Sequence, residues 1–257
     1  MSALRACARL LALAVVNLML GSAAALFYLL EGGFTQTYAR RLRTLSLLWG
    51  RWTCRIFNIQ IDSMPERPFP KGALIVANHS GAADIFVLAA CYPARFVAKS
   101  EVADWPLVSW LARLGGTLFV DRTRRMQVRQ SLAQIQEALE GGSLLAMFPE
   151  SVATQELEAL PFKSSHFESA VRAGIPVIPV SIVYLDPNRP SIASWGDKNF
   201  AEHLWDLLKN QELKVAVKAH PAIEGATDRR ALAEQSRDCV NAGIRELRAS
   251  KSSQGEK

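Results

Sequence analysis

The chain has 257 residues, 49% of them hydrophobic, and 30 basic against 24 acidic side chains give a net charge of +6. Such a length holds one full α/β core and an appendage. Residues 1–60 carry seven Arg and a single acid, Glu31, while the rest of the chain balances at 23 and 23. The surplus is local, which argues against a basic nucleic-acid-binding body.

The N-terminus opens with Arg5 and Arg9 and then runs from Leu10 to Leu30 without a charge. As a helix this run is about 31 Å long, near the thickness of a bilayer's hydrocarbon core. A cleaved signal peptide has the same order, with Ala23-Ala24-Ala25 as its cleavage motif. Leu26–Leu30 carries the apolar run past that point and favours a membrane anchor. Gly32-Gly33 permit a reversal. The helix that follows places Leu42, Leu45, Leu48, Trp49, Trp52 and Ile56 on one face and Arg40, Arg41, Arg43, Arg51 and Arg55 on the other. A Trp-rich face opposite an Arg-rich one suits the headgroup layer of an anionic leaflet; a helix docked on the domain is the plainer alternative. Arg on both flanks of the apolar run leaves a true span and a hairpin dipping into one leaflet both open. Residues 1–60 thus read as a pair of membrane-binding helices.

After a Pro-rich linker, Asp62–Lys71, apolar runs alternate with helical patterns through residue 249. Strands are expected at Ala73–Ala77, Arg95–Ala98, Thr117–Val120, Ser143–Phe148, Val177–Tyr184 and Leu213–Ala219. Helices are expected at Ala83–Cys91, Pro106–Leu114, Arg124–Glu140, Ser165–Ala173, Phe200–Lys209 and Arg229–Ala249. Gly141-Gly142 and Gly174 stop two of them. The alternation predicts an α/β domain over 61–249, with a mainly parallel central sheet flanked by helices. The polar tail 250–257 reads as disordered. Cys7, Cys54, Cys91 and Cys239 are scattered without metal spacing and read as reduced. His166 falls in a helix start, His203 in an exposed amphipathic helix and His220 after the last strand. None has a spacing partner, and no chemistry is assigned to them.

The segment Asn78-His79-Ser80-Gly81-Ala82-Ala83-Asp84 follows the first apolar strand. A strand emptying into a helix start puts His79 at the sheet's edge and Asp84 about one and a half turns on, within reach of a ring nitrogen. Such a carboxylate fixes the tautomer and makes the imidazole a better proton acceptor. Gly-x-Ser-x-Gly, His-Glu-x-x-His and a Walker loop are all absent; a lone base with an orienting acid suits a reaction in which the substrate supplies the nucleophile.

This stretch resembles the first box, Asn-His-x4-Asp, of the glycerolipid acyltransferase family. Gly116-Thr117-Leu118-Phe119-Val120-Asp121-Arg122 is similar to its second box, Gly-x-x-Phe-x-x-Arg. Phe148-Pro149-Glu150 starts the third, Phe-Pro-Glu-Gly-Thr-Arg, but continues Ser151-Val152-Ala153, so the Gly, Thr and Arg are replaced. Pro161-Phe162-Lys163 with Phe167, Phe96–Glu101 around Lys99, and Val177-Ile178-Pro179-Val180 resemble further family segments. The resemblance implies His79 and Asp84 as catalytic pair, with Asn78, Lys99, Gly116, Arg122, Glu150 and Lys163 binding substrate. Gly116 would let the backbone approach a ligand, and Val177 and Pro179 would line the acyl chain's path.

The implied reaction moves a fatty acyl group from acyl-CoA or an acyl-carrier protein to the free hydroxyl of a lysolipid. It needs no cofactor and no metal. Main-chain N–H groups in the turn after His79 are expected to hold the oxyanion. The acceptor implied first is 1-acyl-sn-glycerol-3-phosphate, in phospholipid biosynthesis at the cytoplasmic membrane with the catalytic domain facing the cytoplasm. The altered third box brings in lyso-ornithine lipid as an alternative acceptor. A hydrolase using water and a non-catalytic membrane-binding homologue are lesser readings.

Overall fold

In this computed structural model the residues described are 2–66, 68–104, 108–121, 125–186 and 191–252. Two helices open the chain, α1 (Ser2–Leu30) and α2 (Gln36–Phe57). A seven-stranded sheet follows, interleaved with helices: β1 (Ile59–Ile61), β2 (Ala73–Ala77), α3 (Ala82–Cys91), β3 (Ala94–Lys99), α4 (Val108–Leu114), β4 (Leu118–Val120), α5 (Arg125–Glu140), β5 (Leu144–Met147), α6 (Glu168–Ala173), β6 (Val177–Tyr184), α7 (Phe200–Lys209), β7 (Leu213–Ala219) and α8 (Arg229–Ser252). The strand order is β1-β7-β6-β2-β5-β3-β4, and among the described strands only the β6–β7 pair is antiparallel. Alternating apolar runs and helical patterns made this mainly parallel, two-faced sheet legible beforehand.

β2 sits at the centre because every one of its residues is apolar and can be covered on both faces. Ala73, Ile75 and Ala77 pack under α2, α3 and α7, against Phe57, Leu88 and Leu208. Leu74 and Val76 pack under α5, α6 and α8, against Leu139, Ala170 and Val240. This is the period-two alternation of a strand, expressed as two cores. Residues 59–61 went unrecognised as a strand: three residues following a long helix carry too little periodicity, and only their pairing with Leu213–Val215 makes them one. At the other end α8 runs through Ser252, so Ser250–Ser252, expected in the disordered tail, is helical.

The N-terminal helices are docked on the domain. α2 crosses α3 so closely that a Cβ on Gly50 would lie 2.3 Å from the Ala89 carbonyl carbon and from Ala90 N. α1 is long and apolar enough to cross a membrane. Yet Arg9 donates to the Leu208, Asn210 and Gln211 carbonyls and Arg5 to that of Lys209, all at the C-terminal end of α7, where a cation is favoured. Trp49 Nε1 donates to Asn17 Oδ1 at 2.9 Å. On the outer side Leu4, Leu10, Leu11, Leu18, Met19 and Leu29 stand exposed.

Candidate active site

Parallel neighbours bring three sequence-distant segments together at the C-terminal ends of β2, β5 and β6, where open α/β sheets build their sites. Val76 is level with Met147 on one side and with Pro179 on the other. His79, Phe148-Pro149-Glu150 and Tyr184 therefore leave the sheet beside one another.

Asp84 is the third residue of α3, and its fully buried carboxylate reaches back over the helix start. Its Oδ2 accepts from Ser80 N at 2.6 Å, from Gly81 N at 2.9 Å and from His79 Nδ1 at 2.8 Å. Its Oδ1 accepts from the Tyr184 hydroxyl at 2.6 Å. Capping the helix and holding the imidazole are thus one arrangement. A carboxylate facing Nδ1 places the proton there and leaves Nε2 as the accepting nitrogen. The His79 ring stacks on Phe148, centroids 4.1 Å apart and planes 13° apart, which fixes its plane.

Two further residues hold the main chain around this pair. The Asn78 amide donates to Ile182 O at 2.9 Å and accepts from Ile182 N at 2.8 Å, tying the end of β2 to β6. Glu150, only 3% exposed, accepts from His79 N at 2.7 Å and from Leu160 N at 2.8 Å. Burial pushes its carboxyl up to about 7, against the opposing pull of those two amides. Both residues line the cavity at His79, with their polar atoms bonded to main chain. Ser151, standing where the resembled box has Gly, adopts φ +67°, a left-handed conformation that glycine takes without strain.

The remaining expected residues fall apart into groups. Lys163 is exposed, and its N–H donates to Pro149 O at 3.0 Å, which keeps it beside the third box. Lys99 ends β3, half-buried and level with Val120 of β4. Arg122 lies outside the described residues. β4 is three strand spacings from β2, roughly 14 Å. Gly116 does have φ +71°, but what approaches it is Arg95, whose Nε donates to Gly116 O at 2.7 Å, together with Leu42 and Phe34 from the helical hairpin. Val177 is fully buried in the core under α8, and neither it nor Pro179 lines the cavity at His79.

The oxyanion expectation also changes. Ser80 N and Gly81 N are spent on Asp84, and Ala82 N donates to His203 Nε2 at 3.3 Å. The three amides that directly follow His79 are thus occupied by side chains. His203 itself is wholly buried, stacked on Trp195 with centroids 5.1 Å apart, rather than exposed. Burial lowers its pKa, keeping it neutral as an acceptor. Its spacing from Phe200 and Leu207 already put it on the apolar face of α7. Tyr184 was overlooked although it ends an expected strand at the site edge, where a polar residue after an apolar run is informative.

His79 and Tyr184 line a cavity of about 310 Å³ whose other titratable walls, among the described residues, are Glu150, Glu156, Glu158, Asp186 and Arg248. A wider cleft of about 790 Å³ adjoins it, sharing Gln155, Asp186, Ser191 and Ser194. Buried Cys54 and Cys91 have their thiols pushed up, Cys91 to about 12, so neither is a ready nucleophile.

This chain is similar to known proteins. The family model described as Acyltransferase matches residues 58–183. A lyso-ornithine lipid O-acyltransferase of Pseudomonas aeruginosa is 32% identical over 242 residues, 92% of this chain and 91% of that one. A 1-acyl-sn-glycerol-3-phosphate acyltransferase of Neisseria meningitidis is 29% identical over 220 residues, 84% and 85% of the two chains. The crystal structure of a 1-acyl-sn-glycerophosphate acyltransferase from Thermotoga maritima has the same fold, with a TM-score of 0.68, 21% identity, and 97% and 98% of the two chains covered. With the family model, the full-length relatives and the fold in agreement, the chain belongs to the acyltransferase family.

Proposed function

We propose that this acyltransferase is a membrane-bound O-acyltransferase moving a fatty acyl group from a thioester of CoA or acyl-carrier protein to a lysolipid hydroxyl. The observation that carries it is the 2.8 Å contact of His79 Nδ1 with Asp84, which leaves Nε2 free to act at the cavity. His79 Nε2 takes the hydroxyl proton as the new C–O bond forms, and Asp84 steadies the resulting imidazolium. The tetrahedral intermediate then expels the thiolate, which receives the proton from His79. General base help of this kind is worth about 10²–10⁴-fold, about 3–5.5 kcal/mol. Asn78 and Glu150 hold the strand end that carries the imidazole.

The acceptor read first is 1-acyl-sn-glycerol-3-phosphate, with Lys163, Lys99 and Arg122 as candidate phosphate cations. Lyso-ornithine lipid is the second reading, and a specific observation favours it. The third box lacks its Arg, and among the described residues the acids lining the cavity are Glu150, Glu156, Asp186 and Glu158, the last paired with Arg245 at 2.7 Å, beside Arg248. An ammonium headgroup suits that lining better than a phosphate does.

Attachment follows from α1 and α2. Held by Arg5, Arg9 and Asn17 against the domain, α1 lies along the body with its leucines outward. This supports a hairpin embedded in one leaflet, the cytoplasmic face of the inner membrane, over a true span. His79→Ala should abolish transfer on vesicle-held acceptors while sedimentation with vesicles persists; near-normal transfer would end the base assignment. Assaying lysophosphatidate against lyso-ornithine lipid with one donor decides the acceptor.

A further inference from the structure

Asp84 holds four donors in an uneven way. Three of them, His79 Nδ1 and the Ser80 and Gly81 amides, converge on Oδ2. Oδ1 has one, the Tyr184 hydroxyl, at 2.6 Å, within the short range typical of hydroxyl–carboxylate bonds. Resting on the reading of His79 as base, we propose that Tyr184 is a positioning residue of the acyl transfer. Its hydroxyl anchors and partly neutralises the outer oxygen of Asp84, limiting how tightly that carboxylate holds the His79 proton.

The geometry supplies both halves of this role. Tyr184 belongs to β6 and Asp84 to α3, so the phenol ties the carboxylate to the sheet while the Ser80 and Gly81 amides tie it to the turn. Two tethers on opposite oxygens fix the carboxylate plane, and with it the direction of His79 Nε2. The phenol also draws negative charge toward Oδ1 and away from the imidazole. A base must release its proton to the departing thiolate, so too strong a grip slows the second half of the reaction. Burial and the adjacent carboxylate push the Tyr184 phenol well above its usual range, so it remains a donor throughout the working pH. The other titratable groups around this unit are Glu150 after β5, His203 on α7 and Cys54 on α2. Glu150 and His203 bond main-chain amides, not Asp84.

The test uses the full-length protein in mixed micelles, as wild type, as Tyr184→Phe, and with 3,5-difluorotyrosine at position 184. Two quantities are read: the NMR titration midpoint of the His79 ring and the acid limb of kcat/KM against pH. Removing the hydroxyl should move both upward by about one pH unit, together with a lowered high-pH plateau. The more acidic difluorophenol should move both downward, so the proposal has a second arm if the Phe variant folds poorly. An even loss of activity at all pH, with the His79 titration unmoved in either variant, overturns the proposal and leaves Tyr184 a packing residue. If the NMR midpoint moves and the kinetic limb does not, the coupling stands and the assignment of His79 as base fails.

Discussion

Replacing Asp84 by Asn separates the electrostatic role of the carboxylate from its structural one. The amide oxygen can take the Oδ2 position and keep the three N–H donors from His79, Ser80 and Gly81. Its NH₂ then faces Tyr184, whose hydroxyl turns to accept. The fold should survive, with only the charge lost. The His79 ring is 17% exposed and Asp84 is fully buried. At an effective dielectric near 20, a pair with charge centres about 4 Å apart is worth about 4 kcal/mol. An amide oxygen in the same place retains about 1 kcal/mol of hydrogen bond. The difference, about 3 kcal/mol, is roughly a 10²-fold fall in kcat. Asp84→Ala is different, because it strands two buried amides and a phenol at about 1–3 kcal/mol each and should lower stability by at least about 3 kcal/mol. The assay is transfer from an acyl thioester to a lysolipid in vesicles, with thermal melts run alongside. An Asn variant within threefold of wild type would refute the electrostatic argument, and an Ala variant with an unchanged melt would refute the capping one.

Other perturbations reach the exposed leucines of α1, the helix packing and the buried acid. Leu11 and Leu18 are 68% and 67% exposed; changing both to Lys should cost about 3 kcal/mol each in hydrocarbon and release the protein from vesicles, while activity on micellar acceptor remains. Persistent sedimentation would show that α1 is not the anchor. Gly50→Ala gains about 1 kcal/mol of helix propensity, but its Cβ meets the α3 backbone at 2.3 Å, so calorimetry should record a net loss of about 1–3 kcal/mol or more. Glu150 titrates at about 7 instead of 4.5, so the folded chain binds that proton more tightly than the unfolded one. Stability should therefore decline as pH rises from about 4.5 to about 7 and level off above. Glu150→Gln should flatten that slope and lower kcat, because its NH₂ must face the amide of His79 or Leu160; melts at pH 5 to 8 check the first part and initial rates the second.

How much of this was legible beforehand follows from the range of the forces involved. Strand and helix periodicity is local, so β2, β6, β7 and α7 were readable to the residue, and the five-residue spacing of His79 and Asp84 lies within one turn-and-helix unit. Box order along the chain gave the family. Three kinds of fact were not local. Glu150 and Asn78 look like ligand-binding residues in sequence, but strand adjacency sends their polar atoms to His79 N and Ile182. Gly116 gives no sign in sequence that Arg95 and the hairpin pack against it. Tyr184 is one hundred residues from Asp84 and becomes its partner only because β6 lies beside β2. Amino-acid order alone thus determined the elements, the His79–Asp84 pairing and the apolar N-terminus. Tertiary structure decided which polar groups are spent on one another and how α1 rests on the domain, since a hydrogen bond between distant residues exists only once the sheet has set its strand order.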